Sequence, residues 1–234
     1  MTQRYVLIGA GGTGTHLLPP LLAYLTTYHD GVDSDVWELG VIDGDNVEPK
    51  NLSRQLFNPS TLTLNKARAS VLPFRYMRNL VAIPDYLGPD NIEKHLTEGC
   101  VVLIAVDNFP VRALIERHCL TLDDAIVING GNEEDTGSCQ VWIRKDGQNL
   151  TPTLSFLHPE INRPGEDRAL LSCQQLALLD GGEQLIVSNM SSAMWMLAAL
   201  INVHRDKVNW TELHFDALLG KTYSMDNRAR VGWK

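Results

Sequence analysis

Three groups of residues in this chain are of the kind that handle phosphate. The first is Gly9-Ala10-Gly11-Gly12-Thr13-Gly14, a G-x-G-G-x-G loop that follows the apolar run Tyr5 to Ile8. Glycines let a backbone turn tightly and approach an anion closely, and the free N–H groups of a helix start point at that anion. The second is Asp43-Gly44-Asp45-Asn46-Val47-Glu48-Pro49-Lys50-Asn51-Leu52-Ser53-Arg54-Gln55, with Lys66 beyond it. The third is Asp107-Asn108, with Arg112 a turn later. Arginine grips phosphate bidentately, lysine acts as a point charge, and a carboxylate joins phosphate oxygens around Mg²⁺. The set suits a nucleoside triphosphate with Mg²⁺ better than a dinucleotide. In an NAD fingerprint the ribose-binding acid follows the glycines by roughly 20 residues; Asp43 lies further on, a spacing that does not by itself exclude NAD, and it is the residues after Asp43 that argue against it. Taken singly, each residue has a plainer role: Asp43 capping a turn, Arg54 or Lys66 as solvated charge, Asp107 or Asn108 capping the next helix.

These groups must be held by regular elements, and the hydrophobic pattern supplies them. Tyr5 to Ile8 and Trp37 to Ile42 read as buried strands. Leu17, Leu18, Leu21, Leu22 and Leu25 give the helix after Gly14 its apolar stripe. Pro19 and Pro20 interrupt that stripe and predict a kink, or a start near Pro19. Short helices are expected over Asn65 to Pro73 and Asn91 to Glu98, with an irregular stretch to Asp85 between them. Cys100 to Val106 is apolar on both faces, as a central parallel strand is. A helix over Val111 to Cys119 and a strand over Ala125 to Ile128 follow. The alternation predicts an α/β fold with a Rossmann-like, doubly wound, mostly parallel sheet whose strand ends open on one crevice. Cys139 to Arg144, Glu212 to Ala217 and Lys221 to Met225 read as strands that extend this sheet in antiparallel fashion, and Ser188 to His204 as a helix. One domain over 1–234 is expected, with a nucleotide-binding half over 1–130 and the extension over 131–234.

Composition removes other classes. The chain has 234 residues, 44% hydrophobic and 21% charged, with 20 Lys+Arg against 28 Asp+Glu and a formal net charge of -8. It is long enough for a full core, and the charge argues against a protein that tracks nucleic-acid phosphates. The longest apolar stretch, Ser192 to Val203, runs about 12 residues, short of the roughly 20 that cross a bilayer. No signal peptide precedes the first strand, and Cys100, Cys119, Cys139 and Cys173 form no C-x-x-C pair, so a reducing cytoplasm is expected. The seven histidines, at 16, 29, 95, 118, 158, 204 and 214, show no ligand spacing and default to solvated or core positions. Cys100, Cys119 and Cys139 read as small buried hydrophobes.

G-x-G-G-x-G, D-x-D-x-V-x-x-x-N-L-x-R-Q, a downstream lysine and a strand ending in V-D-N together resemble the ThiF/MoeB/ubiquitin-activating-enzyme superfamily, over residues 1 to 130. Gly131-Asn132, Asp135-Thr136-Gly137, Leu171-Ser172-Cys173 and the late Trp195 helix are similar to the shorter ThiF-family proteins of the plasmid- and phage-associated PRTRC system. The resemblance implies an adenylyltransferase that activates the C-terminal glycine carboxylate of a small ubiquitin-like or sulfur-carrier protein, with ATP and Mg²⁺. It implies that Gly9, Gly11, Gly12 and Gly14 cradle the nucleotide and Asp43 holds the ribose. Asn51, Arg54 and Lys66 contact phosphates with Gln55, Asp45 and Asn108 beside them, and Asp107 takes Mg²⁺. Arg54, Lys66 and Asp107 are then catalytic, and Cys173, at the place of a crossover-loop cysteine, is a candidate for thioester or persulfide chemistry.

The chain also departs from the larger relatives. Their C-x-x-C zinc pairs are missing, so no zinc is expected, and so is an N-terminal helix donating an arginine finger, for which Arg4 is no clear substitute. Relatives are usually two-fold dimers, and the apolar Ser188 to His204 helix fits a homodimer interface. No nucleic-acid or membrane partner is expected. An NAD-dependent dehydrogenase and a nucleotide-binding scaffold without catalysis remain the alternatives.

Overall fold

The computed structural model describes residues 2–31, 35–162 and 185–228. Five strands and their crossover helices form the first half: β1 (Gln3–Ile8), α1 (Gly12–Tyr28), β2 (Trp37–Ile42), α2 (Lys66–Val71), β3 (Leu80–Ile83), α3 (Ile92–His95), β4 (Cys100–Ile104), α4 (Phe109–Cys119) and β5 (Ala125–Asn132). The second half adds β6 (Thr136–Lys145), β7 (Gln148–Asn149), α5 (Leu154–Leu157), α6 (Ile186–His204), β8 (Glu212–Asp216) and β9 (Lys221–Met225). All strands join one sheet in the order β3-β2-β1-β4-β5-β6-β8-β9, with β7 beside β6. The pairs from β3 to β5 are parallel and those from β5 onward antiparallel. That is the doubly wound sheet with an antiparallel extension that the pattern predicts.

Two apolar layers cover the sheet. On one face α1 and α6 pack together over Tyr5, Leu7, Leu39, Leu103, Ile128 and Phe215. On the other, α3, α4 and α5 cover Val6, Ile8, Val102, Ile104, Val127 and Trp142. β4 is buried at every position, which accounts for its unbroken apolar sequence.

Four expectations change. α1 runs from Gly12 through Pro19 and Pro20 to Tyr28, so it does not start at Pro19. The prolines cost about 3 kcal/mol each. Burying Leu17, Leu18, Leu21, Leu22 and Leu25 returns about 1.5–3 kcal/mol apiece, which outweighs that. The stretch before Asp85 contains β3, an edge strand of four residues, too short to show a period. The helix expected over Asn91 to Glu98 is one turn, Ile92–His95. α6 is 19 residues, longer than its apolar core suggests, and its length and mean hydropathy of 1.4 meet those of a membrane-crossing helix. In this fold it lies against α1, β5 and β6. Its first half is inverted: Ser188, Asn189 and Ser192 are buried, while Met190 and Met194 are exposed.

Candidate functional site

β1 is flanked by β2 on one side and β4 on the other, and the chain winds away in both directions from this pair. In open α/β sheets a ligand crevice forms where the winding reverses, beyond the carboxyl ends of the strands. The register sets Ile8 level with Ile42 and Ile104, so Gly9, Asp43 and Ala105 leave the sheet together. A cavity of ≈ 850 Å³ opens there, within the usual range for a small-molecule site. Gly9, Gly11, Gly12, Asp43, Asp45, Lys66, Asp107 and Asn108 all border it, as the sequence predicts.

The glycines are required by geometry. Gly9 has φ +96, and a Cβ there would stand 2.6 Å from the Ala105 carbonyl oxygen. At Gly14 a Cβ would lie 1.9 Å from the Gly9 oxygen, so Gly14 shapes the loop from behind and does not border the cavity. α1 begins at Gly12 with no side-chain cap and no acidic residue in its first turn. The first N–H groups of a helix have no partner within it, and here no side chain is supplied to cap them.

The acidic turn is lashed to this loop. Asp43 accepts the Ala10 N–H at 2.7 Å and the Asp45 N–H at 2.9 Å. Burial pushes the Asp43 carboxyl up, and Lys66 and the two N–H groups oppose that rise. Lys66, buried at the start of α2, donates to Asp45 at 2.9 Å, and the Tyr86 hydroxyl donates to the same carboxylate at 2.6 Å. Although burial works the other way, these partners hold the Asp45 carboxyl below its ordinary range. Asn65 caps α2 and donates to the Asp43 and Asp45 carbonyls, fixing Lys66 against the turn. Asn65 is legible only as the first residue of the helix that carries Lys66, and Tyr86 is not legible as a site residue, because no motif surrounds it.

Asn51, Arg54 and Gln55 are not brought into the cavity wall. The segment folds through a 3₁₀ turn at Pro49–Asn51 and packs on the first turns of α1 instead. There the Arg54 carbonyl pairs with the His16 ring at 3.2 Å, and the Leu56 N–H donates to Thr15 at 3.2 Å. Gln55 is buried behind Gly11, and neither end of its amide has a hydrogen-bond partner. Asn51 accepts the Glu48 N–H, and its amide nitrogen has no partner. A buried polar group without a partner costs about 1–3 kcal/mol.

Past β4, Asn108 caps α4 by accepting the Val111 N–H at 2.9 Å. Its oxygen is committed to the helix, so its part in a ligand site is limited, and the capping role does not fall to Asp107. Arg112 borders the cavity and donates to the carbonyls of Val106 and Gly130. Among the described residues no group of three or more His, Cys, Asp or Glu is placed to hold a metal ion.

The far end of the cavity lies on the antiparallel extension, where His158, Glu160, His214 and Tyr223 border it. His158 sits between Glu160 (2.8 Å) and the buried Glu212 (2.7 Å), which His214 also meets at 3.1 Å. Glu212 and Glu160 hold the His158 imidazole above its ordinary value against burial, and the same histidines hold Glu212 down. Both histidines therefore depart from the solvated or core default. Cys100, Cys119 and Cys139 are buried and free, and burial pushes the Cys100 thiol up to about 12 and the other two higher still. Cys173 lies outside the described residues.

A glycine-lined helix start, a lashed carboxylate and a buried lysine thus meet at the switch point of an α/β sheet. The ThiF family model matches residues 1–219, and the chain belongs to that family. It is 28% identical over 169 residues to the SAMP-activating enzyme E1 of Haloferax volcanii, covering 70% of this chain and 57% of that one. It is 31% identical over 129 residues to the sulfur carrier protein adenylyltransferase of Thermus thermophilus, covering 52% and 43%. An adenylyltransferase and sulfurtransferase of Zea mays is 30% identical over 132 residues, 54% of this chain and 26% of that one. The chain thus spans between about a quarter and somewhat over half of these relatives' lengths. Among solved structures, E. coli MccB with ATP shares the fold at a TM-score of 0.67 and 17% identity, over 96% of this chain and 63% of that one. PaaA does so at 0.65 and 14%, over 96% and 64%.

Proposed function

We propose that this protein is an ATP-dependent adenylyltransferase that activates the C-terminal carboxylate of a small ubiquitin-like or sulfur-carrier protein. The observation that carries the reading is the uncapped α1 start, flanked by the unpartnered amide groups of Gln55 and Asn189 and sharing one cavity with Lys66 and Asp107. The likeness to the named adenylyltransferases supports the reaction class. An acceptor carboxylate oxygen attacks the α-phosphorus of ATP, the bond from that phosphorus to the bridging oxygen breaks, and pyrophosphate leaves with its electron pair. The attacking group is already anionic, so no base is required. The chain's task is to align the two anions and to spread the charge that develops. Lys66, held on Asp45 in the structure, is the cation best placed for that, and Arg54 does not border the cavity. Asp107, which borders the cavity, would hold Mg²⁺ together with phosphate oxygens, and the ion would supply charge neutralisation.

The far end of the cavity, from Gly131 to His214, takes the acceptor tail in this reading. Of the four cysteines, Cys173 is the one assigned to any later acyl transfer, because burial disfavours the thiolate in the other three. The exposed Ile186, Val187, Met190 and Met194 on α6 would form a two-fold interface. A monomer by light scattering at micromolar concentration would refute that part.

The test is a thermal melt with ATP–Mg²⁺ and with NAD. At 100 times its Kd, a ligand specific to the folded state adds about 2.7 kcal/mol, or roughly 5–11 °C for a chain this size. ATP is expected to give that shift and NAD little. Stabilisation by NAD and not by ATP would overturn the proposal.

A further inference from the structure

The buried polar face of α6 meets the glycine loop. Asn189 has no exposed surface and still forms part of the cavity wall. Its amide packs so closely on Gly12 that a Cβ at that glycine would stand 2.4 Å from Oδ1 and 2.7 Å from Nδ2. Oδ1 accepts from Asn132 Nδ2 at 3.0 Å, and Nδ2 has no hydrogen-bond partner. Exchanging the two ends of the amide would set the Asn189 and Asn132 donors against each other, so the atom left over is the donor. Asn132, at the end of β5, also donates to Ser188 at 3.1 Å and accepts from Thr13 in the first turn of α1 at 3.1 Å. A chain of side chains thus ties the α1 start to β5 and to α6, and leaves one amide donor over beside the loop.

Packing alone does not account for this residue. An apolar side chain on a helix face would avoid the cost of an unpartnered donor, and α6 instead places its apolar Met190 and Met194 outside. The α1 start beside it also lacks a side-chain cap. Both features are resolved at once by an anion seated on the loop. We propose that Asn189 is a phosphate-contacting residue that supplements the α1 N–H groups, with Asn132 as its positioning residue. The inference rests on the nucleotide reading above and adds to it a contact from the second half of the chain, so that α6 reports on occupancy of the glycine loop. The same donor could meet an acceptor carboxylate, but contact with Gly12 places it on the phosphate side of the cavity.

The test is calorimetric titration of the full chain with ATP and, separately, with adenosine, both with Mg²⁺. Asn189→Ala removes the donor. Asn189→Asp keeps an acceptor for Asn132, and so keeps the network, while it sets a carboxylate against phosphate. A hydrogen bond to a charged group is worth about 1.5–3 kcal/mol, so ATP affinity should fall about 10- to 100-fold in Asn189→Ala and further in Asn189→Asp. Adenosine affinity should stay within about two-fold. Equal losses for both ligands would mark Asn189 as merely structural and overturn the inference. Unchanged ATP affinity with a raised KM for acceptor would overturn it in favour of carboxylate contact. If the alanine variant fails to fold by thermal melt, the aspartate variant decides alone. Absence of ATP binding by the parent chain would instead refute the adenylyltransferase reading itself, so the two failures are distinguishable.

Discussion

Replacing Glu212 by glutamine tests the electrostatics of the cavity's far end. The carboxylate is buried, meets His158 at 2.7 Å and His214 at 3.1 Å, and has Asn227 at 3.4 Å. Glutamine keeps the shape and one acceptor oxygen but removes the charge. Hydrogen bonds to a charged group contribute about 1.5–3 kcal/mol and neutral ones about 0.5–1.5. Both histidine side chains retain more than a quarter of their exposure, so solvent screens part of the difference, and a loss of about 2 kcal/mol is expected. For a chain of this length that lowers Tm by roughly 4–8 °C. The sign with pH follows from the two shifts. His158 is raised above its unfolded value of 6.5, so its contribution is complete below 6.5 and is lost as pH rises through the folded value. Glu212 is lowered below 4.5, so its contribution is complete above 4.5 and is lost as pH falls through the folded value. The gap in Tm between parent and variant should therefore be widest between about pH 4.5 and 6.5 and narrow on the alkaline side. His204, held down to about 4 by burial, destabilises both proteins alike as pH falls from 6.5, and the comparison cancels it. Melts at pH 5.5 and pH 9 suffice. A gap of less than about 1 °C at pH 5.5, or one that widens at pH 9, would refute the reasoning.

Three further substitutions probe the nucleotide end. Gly14→Ala drives a Cβ against the Gly9 backbone oxygen, a contact no rotamer can relieve, and should lower Tm by roughly 6–12 °C for about 3 kcal/mol of strain, with loss of the ATP shift; a melt like the parent's would overturn that loop geometry. Lys66→Met should reduce acceptor-dependent ATP–pyrophosphate exchange about 100-fold, while Tm moves by no more than about 4 °C, because the partner Asp45 is half-exposed; retained exchange would remove Lys66 from the catalytic set. Asp107→Asn should keep the cap of α4, which Asn108 supplies, and lose exchange by orders of magnitude; full exchange in a folded variant would remove Asp107 as well.

The sequence alone determined the glycine loop, the unbroken apolar run of β4, the acidic residue at the end of β2 and the order of strands and helices. All of these depend on neighbours along the chain: hydrophobic period, backbone freedom and turn chemistry. β3 escaped because four residues at a sheet edge show no period, and α1 passed through Pro19-Pro20 because tertiary burial of its leucines outweighed local propensity. The rest of the site was decided by strand order and register. They bring Asn189 of α6 onto Gly12, Tyr86 onto Asp45, and His158 onto Glu212, contacts that bridge 41 and 54 positions in the latter two cases. The same tertiary packing set the backbone at Arg54 and Leu56 against α1 and left Asn51, Arg54 and Gln55 off the cavity wall, although their motif sits beside Asp43 in sequence. Motif residues mark which side chains are available to a crevice. Which of them border it is set by the faces the sheet leaves open, and those depend on pairing between segments that carry no sequence signal of one another.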